Sequence, residues 1–286
     1  MSRRVALVTD STAMLPPEVA KEREITVVPL QVVIGAKAYD EGIDPEATPE
    51  TIAQALSEWT PVSTSRPAPS VFLDAYQRAH EDGAEAVLSV HLSSQVSGTY
   101  ESAQLAAKQA PLPVLTVDTL QLGFATGYAV LTAADVLDAG RSVEEAKGAA
   151  MARAEATTSL FYVDTLEYLR RGGRIGAAAA MLGSALAVKP LLTIREGRIA
   201  MLEKVRTSGR AIGRLEELAA AAAEDRQVDV AVAHLAGAER AEALAERLRS
   251  RLADNLGGRD VAVGEVGAVI GAHVGPGMVA VVVAPR

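Results

Sequence analysis

Apolar residues along this chain keep two different rhythms. Short β-branched runs at residues 5–9, 25–33 and 86–92 alternate with stretches of helical period, and a fourth run follows at 114–117. Strands spaced by helices in this way predict an α/β fold with a mostly parallel sheet. Helix starts are marked by cap chemistry: Thr48 stands ahead of Pro49 and Glu50, and Ser142 with Glu145 spells a capping box. The alanine-rich stretch 123–157 therefore reads as two helices broken near Gly140.

A new cycle begins at residues 160–163. It places an expected division near residue 156, between an N-terminal α/β lobe (1–155) and a C-terminal α/β lobe (156–286). The second half offers strands at 190–194, 199–205, 228–234, 261–265 and 278–283, with helices at 209–223 and 238–252. Its sheet, too, is expected to be mostly parallel. Arg195-Glu196-Gly197-Arg198 predicts a hairpin turn with Gly197 at positive φ. No internal repeat or disordered linker interrupts the pattern.

Composition narrows the function classes. Hydrophobic residues make up 49% of the 286, yet no window approaches the run of about 18 uncharged apolar residues that a membrane span needs. Met1-Ser2-Arg3-Arg4 leads directly into a short apolar run closed by Asp10, which suits a cytoplasmic protein that starts with a strand rather than a signal peptide. The absence of cysteine removes disulfides, thiolate nucleophiles and cysteine-held metals. A formal charge of −8 with 3% aromatic residues argues against a nucleic-acid partner, which would need a basic face. Phosphate-loop, zinc-helix and nucleophile-elbow signatures are missing, so no cofactor, metal or nucleotide site is expected.

Ligands of parallel α/β sheets sit beyond the carboxyl ends of strands, and hydroxyls collect there in this chain. The first strand ends in Asp10-Ser11-Thr12, and the third in Ser93-Ser94-Gln95-Val96-Ser97-Gly98-Thr99, just ahead of a helix. Such a loop offers hydroxyls and free N–H groups to an anion, or simply caps the helix. Ser63-Thr64-Ser65-Arg66-Pro67 reads as a polar loop, and His273 stands in a small-residue loop, Gly271 to Gly277. His80 looks like a solvated helix end, while His91 and His234 fall at strand ends. Arg170-Arg171-Gly172-Gly173-Arg174 gathers positive charge in an acidic chain, as a helix C-terminus or as an anion clamp or docking surface.

Taken in order, Val8-Thr9-Asp10-Ser11-Thr12, Thr64-Ser65-Arg66-Pro67, Leu92-Ser93-Ser94, Ser97-Gly98-Thr99-Tyr100-Glu101-Ser102-Ala103 and Val117-Asp118-Thr119 resemble the DegV family. So do Leu169 to Ile175, Lys189-Pro190, Lys204-Val205-Arg206-Thr207 and His273-Val274-Gly275-Pro276-Gly277. The resemblance implies two α/β lobes with a long-chain fatty acid buried in the cleft between them. Members called FakB serve a bacterial fatty acid kinase, in which a separate ATP-binding subunit phosphorylates the bound acid to an acyl phosphate that enters phospholipid synthesis. By this resemblance Ser63, Thr64 or Ser65, Ser93 or Ser94, and His273 hold the carboxylate. Asp10, Ser11, Ser97 and Gly98 support them, and Arg174 and Arg206 face the kinase subunit. The family's loop usually has glutamine where this chain has Arg66, which leaves open whether Arg66 adds charge to the head-group site or points to solvent. Met181, Leu182, Leu186 and Val188 are candidates for an aliphatic tunnel or for plain core.

Two other functions compete. Ser93, His273 and Asp10 are a possible hydrolase triad acting on lipid or acyl esters, since such triads occur in many chain orders. A transcription regulator is the weaker rival, because the chain is acidic and lacks a basic helix-turn-helix pattern.

Overall fold

The computed structural model describes residues 4–176, 178 and 189–286. The first half runs β1 (Val5–Asp10), α1 (Pro17–Glu22), β2 (Ile25–Val28), β3 (Gln31–Ile34), β4 (Lys37–Asp40), α2 (Pro49–Ser57), β5 (Val62–Ser65) and α3 (Pro69–Glu81). It continues through β6 (Ala86–His91), α4 (Thr99–Ala107), β7 (Val114–Asp118), α5 (Phe124–Asp138) and α6 (Val143–Ala156). The second half contributes β8 (Thr158–Tyr162), α7 (Glu167–Arg171), β9 (Lys189–Arg195), β10 (Arg198–Val205), α8 (Ser208–Ala223) and β11 (Val228–His234). After these come α9 (Ala238–Arg251), α10 (Ala253–Leu256), β12 (Ala262–Glu265), α11 (Ala268–Val274) and β13 (Val279–Pro285).

Four strands form a wholly parallel sheet in the order β2-β1-β6-β7. Its two central strands are buried along most of their length, which is why they read as unbroken apolar runs. A six-stranded sheet has the order β10-β9-β8-β13-β11-β12. The expectation of a mostly parallel sheet fails there: only β11 and β12 run parallel, and every other neighbouring pair is antiparallel. Apolar periodicity reports that a strand is buried, not which way its neighbour runs. The hairpin was readable: Glu196 (φ 51°) and Gly197 (φ 77°) form the two-residue turn that sets β10 back against β9.

The run at 25–33 is two strands rather than one. Pro29 has no N–H for a ladder, and the next N–H, that of Leu30, goes to Ser11 Oγ at 3.0 Å, so the chain leaves the first sheet and enters a second. There β3 lies between β4 and β5 in a small antiparallel sheet. Residues 63–65, expected as loop, belong to β5, and His273 lies in the last turn of α11 rather than in a loop. Both misreadings have one cause: a short hydroxyl-rich edge strand and a helix of about two turns carry little periodic signal.

Caps hold as expected. Thr51 N–H donates to Thr48 Oγ1, and the Ser142–Glu145 capping box is present in both directions. α5 and α6 form the layer between the two larger sheets. Ala129, Val130, Ala133 and Ala134 of α5 pack on Leu88 and Val90, while Ala125 at its start packs on Ala231 and Val282. Alanine on several faces of one helix lets both sheets approach it closely. Gln121 fastens the junction, donating to Ala154 O and Thr157 O at 3.2 and 3.1 Å and accepting from Ser159 Oγ at 2.9 Å. No helix among the described residues is long and apolar enough to cross a membrane.

Candidate functional site

The carboxyl ends of β1 and β6 deliver Thr12, Leu92 and the 96–98 loop to a cavity of roughly 350 Å³, within the size range of ligand pockets. Phe161, Ala280 and Val282 of the six-stranded sheet close it from the other side, and α11 adds Val269, Ile270 and His273. Most of the wall is aliphatic or aromatic, with Leu169, Ile194, Ile199 and Met278 at its base. The tunnel candidates Met181, Leu182, Leu186 and Val188 lie outside the described residues.

Two polar groups of this wall meet directly. Strand alternation turns Thr64 inward while Ser63 and Ser65 are exposed, although Ser65 still touches the cavity rim. Thr64 Oγ1 lies 2.8 Å from His273 Nε2, across 209 residues of sequence. The other ring nitrogen, Nδ1, is buried without a hydrogen-bond partner among the described residues. Burial first, and the nearby positive charge of Arg174 second, pull the His273 imidazole down to about 4, so it is neutral at neutral pH. A neutral ring next to a hydroxyl can donate one hydrogen bond or accept one without bringing a counter-charge of its own.

The 96–98 loop completes that end. Ser97 Oγ sits 2.9 Å from Thr99 Oγ1, and Ser97 and Gly98 both line the cavity. Arg174 Nε donates to Val96 O at 3.0 Å and its Nη1 to Gly172 O at 2.6 Å. Arg66 lies flat over Gly98, where any Cβ would collide with its guanidinium, and donates from Nη1 to Gly98 O at 3.3 Å. Arg66 and Arg174 therefore both belong to the cavity wall.

Other expected ligand groups are committed elsewhere. Ser93 is fully buried; its hydroxyl donates to Gly197 O at 2.8 Å and accepts the Gln95 N–H at 3.1 Å, tying the 93–97 loop to the β9–β10 turn. Ser94 donates its N–H to Asp118 Oδ1 at 3.2 Å, and neither serine lines the cavity. Ser11 holds Leu30, as described above. Arg206 is exposed on the connection between β10 and α8, away from the cavity wall.

Asp10 organises a separate cluster. It accepts from His91 Nδ1 at 2.9 Å, Leu92 N–H at 3.1 Å, Thr12 N–H at 3.2 Å and Thr12 Oγ1 at 2.6 Å. His91 Nε2 then meets Ser89 Oγ at 2.7 Å, which meets Tyr76 OH at 2.8 Å. Thr12 thus links the cavity wall to this buried chain, a role its place just beyond β1 hinted at but its neighbours Asp10 and Ser11 overshadowed. The triad Ser93, His273 and Asp10 is not assembled: each is bonded to a different partner, Gly197, Thr64 and His91 respectively.

One further residue escaped the sequence reading. Glu41, almost fully buried, reaches from the end of β4 to accept the Val269 N–H at 2.8 Å in the first turn of α11. Burial raises its pKa, countered in part by the Ser11 hydroxyl and the Val269 N–H and reinforced by Asp10. Its Oε2 has no hydrogen-bond partner among the described residues. A lone glutamate after a short strand carries no pattern that would have marked it.

Known proteins match this chain end to end. A Streptomyces coelicolor DegV domain-containing protein is 54% identical over 286 residues, covering all of both chains. The fold superposes on a Thermus thermophilus DegV family protein described for its fatty acid binding, with a TM-score of 0.89, 35% identity and full coverage of both chains. It superposes equally on DegV of Bacillus subtilis, described as a fatty acid binding protein, with a TM-score of 0.88, 31% identity and full coverage. A family model described as an uncharacterised protein of the DegV family matches residues 4–286, and with these relatives it establishes that the chain belongs to the DegV family.

Proposed function

We propose that this chain binds one long-chain fatty acid in the cavity and presents its carboxylate to a separate ATP-dependent kinase subunit, which forms the acyl phosphate. The observation that carries the reading is a largely apolar cavity whose lining includes Thr64 and His273, in contact at 2.8 Å, together with Ser97 and Thr12. Relatives of full-length similarity described as fatty acid binding proteins support it. A tail of about fourteen methylenes gains on the order of 11 kcal/mol on leaving water, at roughly 0.8 for each, so the tail supplies affinity. The head group supplies orientation. A carboxylate held by hydroxyls and a neutral imidazole keeps an oxygen available for attack on a phosphoryl donor, whereas a bidentate arginine would occupy both.

The chain brings no phosphate loop, so on this reading the nucleotide and the chemistry belong to the partner. Mass spectrometry of lipid extracted from protein purified from a bacterial host should find about one fatty acid per chain. Empty protein with no thermal shift on adding palmitate or oleate would sink the reading, since a ligand at a hundredfold excess over its Kd raises stability by roughly 3 kcal/mol.

A further inference from the structure

Two arginines grip the same three-residue loop from different parts of the fold. Arg174, after α7, donates to Val96 O, and Arg66, after β5, donates to Gly98 O. Ser97 lies between them, and all five of Arg66, Val96, Ser97, Gly98 and Arg174 line the cavity. Thr64, two residues before Arg66, carries the contact to His273, and Arg174 is close enough to depress the His273 pKa. Neither arginine has a carboxylate partner among the described residues. Each keeps N–H groups that make no bond among the described residues: Arg66 uses one, through a long contact, and Arg174 uses two.

This charge count does not suit a carboxylate alone. Two guanidiniums beside a neutral imidazole leave a net positive charge after a monoanion has bound, and a dianion cancels it. Guanidinium forks also match the oxygens of a phosphate better than any other side chain does. Arg174 is anchored by two short bonds, whereas Arg66 is exposed and held by a single contact of 3.3 Å, so it is the one free to turn onto a head group larger than a carboxylate. A second recess, lined by Gln31, Asp40 and Pro67, shares Ser65 and Arg66 with the cavity and gives that side chain room to move.

We infer that Arg66 is a specificity-determining residue that makes this site prefer a long-chain lipid with a dianionic phosphate head group over the corresponding carboxylate. The inference rests on the fatty acid reading above. It adds that this chain's own Arg66 sets the preference between the two head groups.

The test uses delipidated full-length protein and three probes of matched chain length: palmitate, hexadecyl phosphate and hexadecanol. Each is titrated below its critical micelle concentration at pH 8, where a phosphate monoester is almost fully dianionic. Wild-type protein should bind hexadecyl phosphate about tenfold or more tightly than palmitate, the scale of one added charge contact. Arg66→Gln, which can still donate an amide N–H to Gly98 O, should shrink that ratio to threefold or less, the loss falling more on hexadecyl phosphate than on palmitate. Arg66→Lys should keep most of the ratio, and raising salt should reduce it in the wild type. A wild-type ratio near one, or the same ratio in Arg66→Gln as in wild type, overturns this inference alone. Failure of palmitate to bind at all overturns the fatty acid reading, and this inference with it.

Discussion

His91 and His273 sit in the same protein as one fully buried and one partly buried imidazole with opposite circumstances. His91 is saturated: Asp10 takes its Nδ1 side, Ser89 its Nε2 side, and every member of the chain out to Tyr76 is fully buried. His273 has Thr64 on one nitrogen, no partner for the other among the described residues, and an arginine near by. A satisfied polar network rigidifies, and a half-satisfied one costs free energy unless something completes it. The difference teaches where this fold keeps its scaffold and where it keeps its site. Asp10 fixes the end of β1 and the start of the 92–98 loop, and His273 faces the cavity that this scaffold shapes.

The largest test of that contrast removes the scaffold. Asp10→Ala should cost about 3–5 kcal/mol in urea unfolding, because four donors lose their acceptor at once inside the core. His273→Ala should cost far less stability and, on the proposed function, impair phosphoryl acceptance by a bound acid more than its retention, because the tail would supply most of the binding energy. Equal stability losses in both variants would erase the distinction between scaffold and site.

Acid gives the next largest effect. An imidazole lowered to about 4 in the folded state binds fewer protons than its unfolded counterpart, whose value is near the ordinary 6.5. The stability this contributes is present above about pH 6.5 and is lost as pH falls towards 4, up to roughly 3 kcal/mol. Stability measured against pH in wild type and His273→Gln should diverge across that window. Parallel curves would show that His273 protonates freely in the folded protein.

Glu41 extends the comparison to a carboxylate, and its sign is opposite. Burial raises its pKa, so its ionised form is the costly one, and the cost appears as pH rises through its folded value. Glu41→Gln keeps an acceptor for the Val269 N–H and removes the charge, so it should gain about 1 kcal/mol at pH 7 and nothing near pH 4. A loss at pH 7 would mean that Oε2 finds a partner in solution. The smallest expected effect belongs to Arg206→Glu: exposed and unpaired among the described residues, it should move stability by less than about 1 kcal/mol while weakening complex formation with a kinase subunit, read by titration calorimetry.

The sequence made the strong periodic elements legible, together with the caps at Thr48 and Ser142, the break at Gly140 and the turn at Gly197. Each of these is written in local chemistry. Direction of pairing in the six-stranded sheet was not, because it depends on partners distant in the chain. The same holds within the site. The motifs brought Thr64, Ser97 and His273 into view, and the structure places all three on the cavity wall. Family motifs also nominated Ser93 and Ser94, but a motif does not say which way a hydroxyl turns, and Ser93 is spent on Gly197. Arg174 was nominated as a docking residue and lines the cavity, so any docking surface that includes it borders the cavity. Thr12 was visible as a strand-end hydroxyl, but Glu41 acts through a contact that no local pattern encodes.

The order of strands has a consequence for synthesis. β13 stands between β8 and β11 in the middle of its sheet, yet a ribosome makes it after the other five strands. The parallel sheet of the first half can close while translation continues, but the six-stranded one waits with its centre missing. His273, just ahead of β13, reaches Thr64 only at that late stage. The cavity wall is therefore complete only once β13 has been made, and a nascent chain halted before β13 would leave that apolar wall unfinished and exposed.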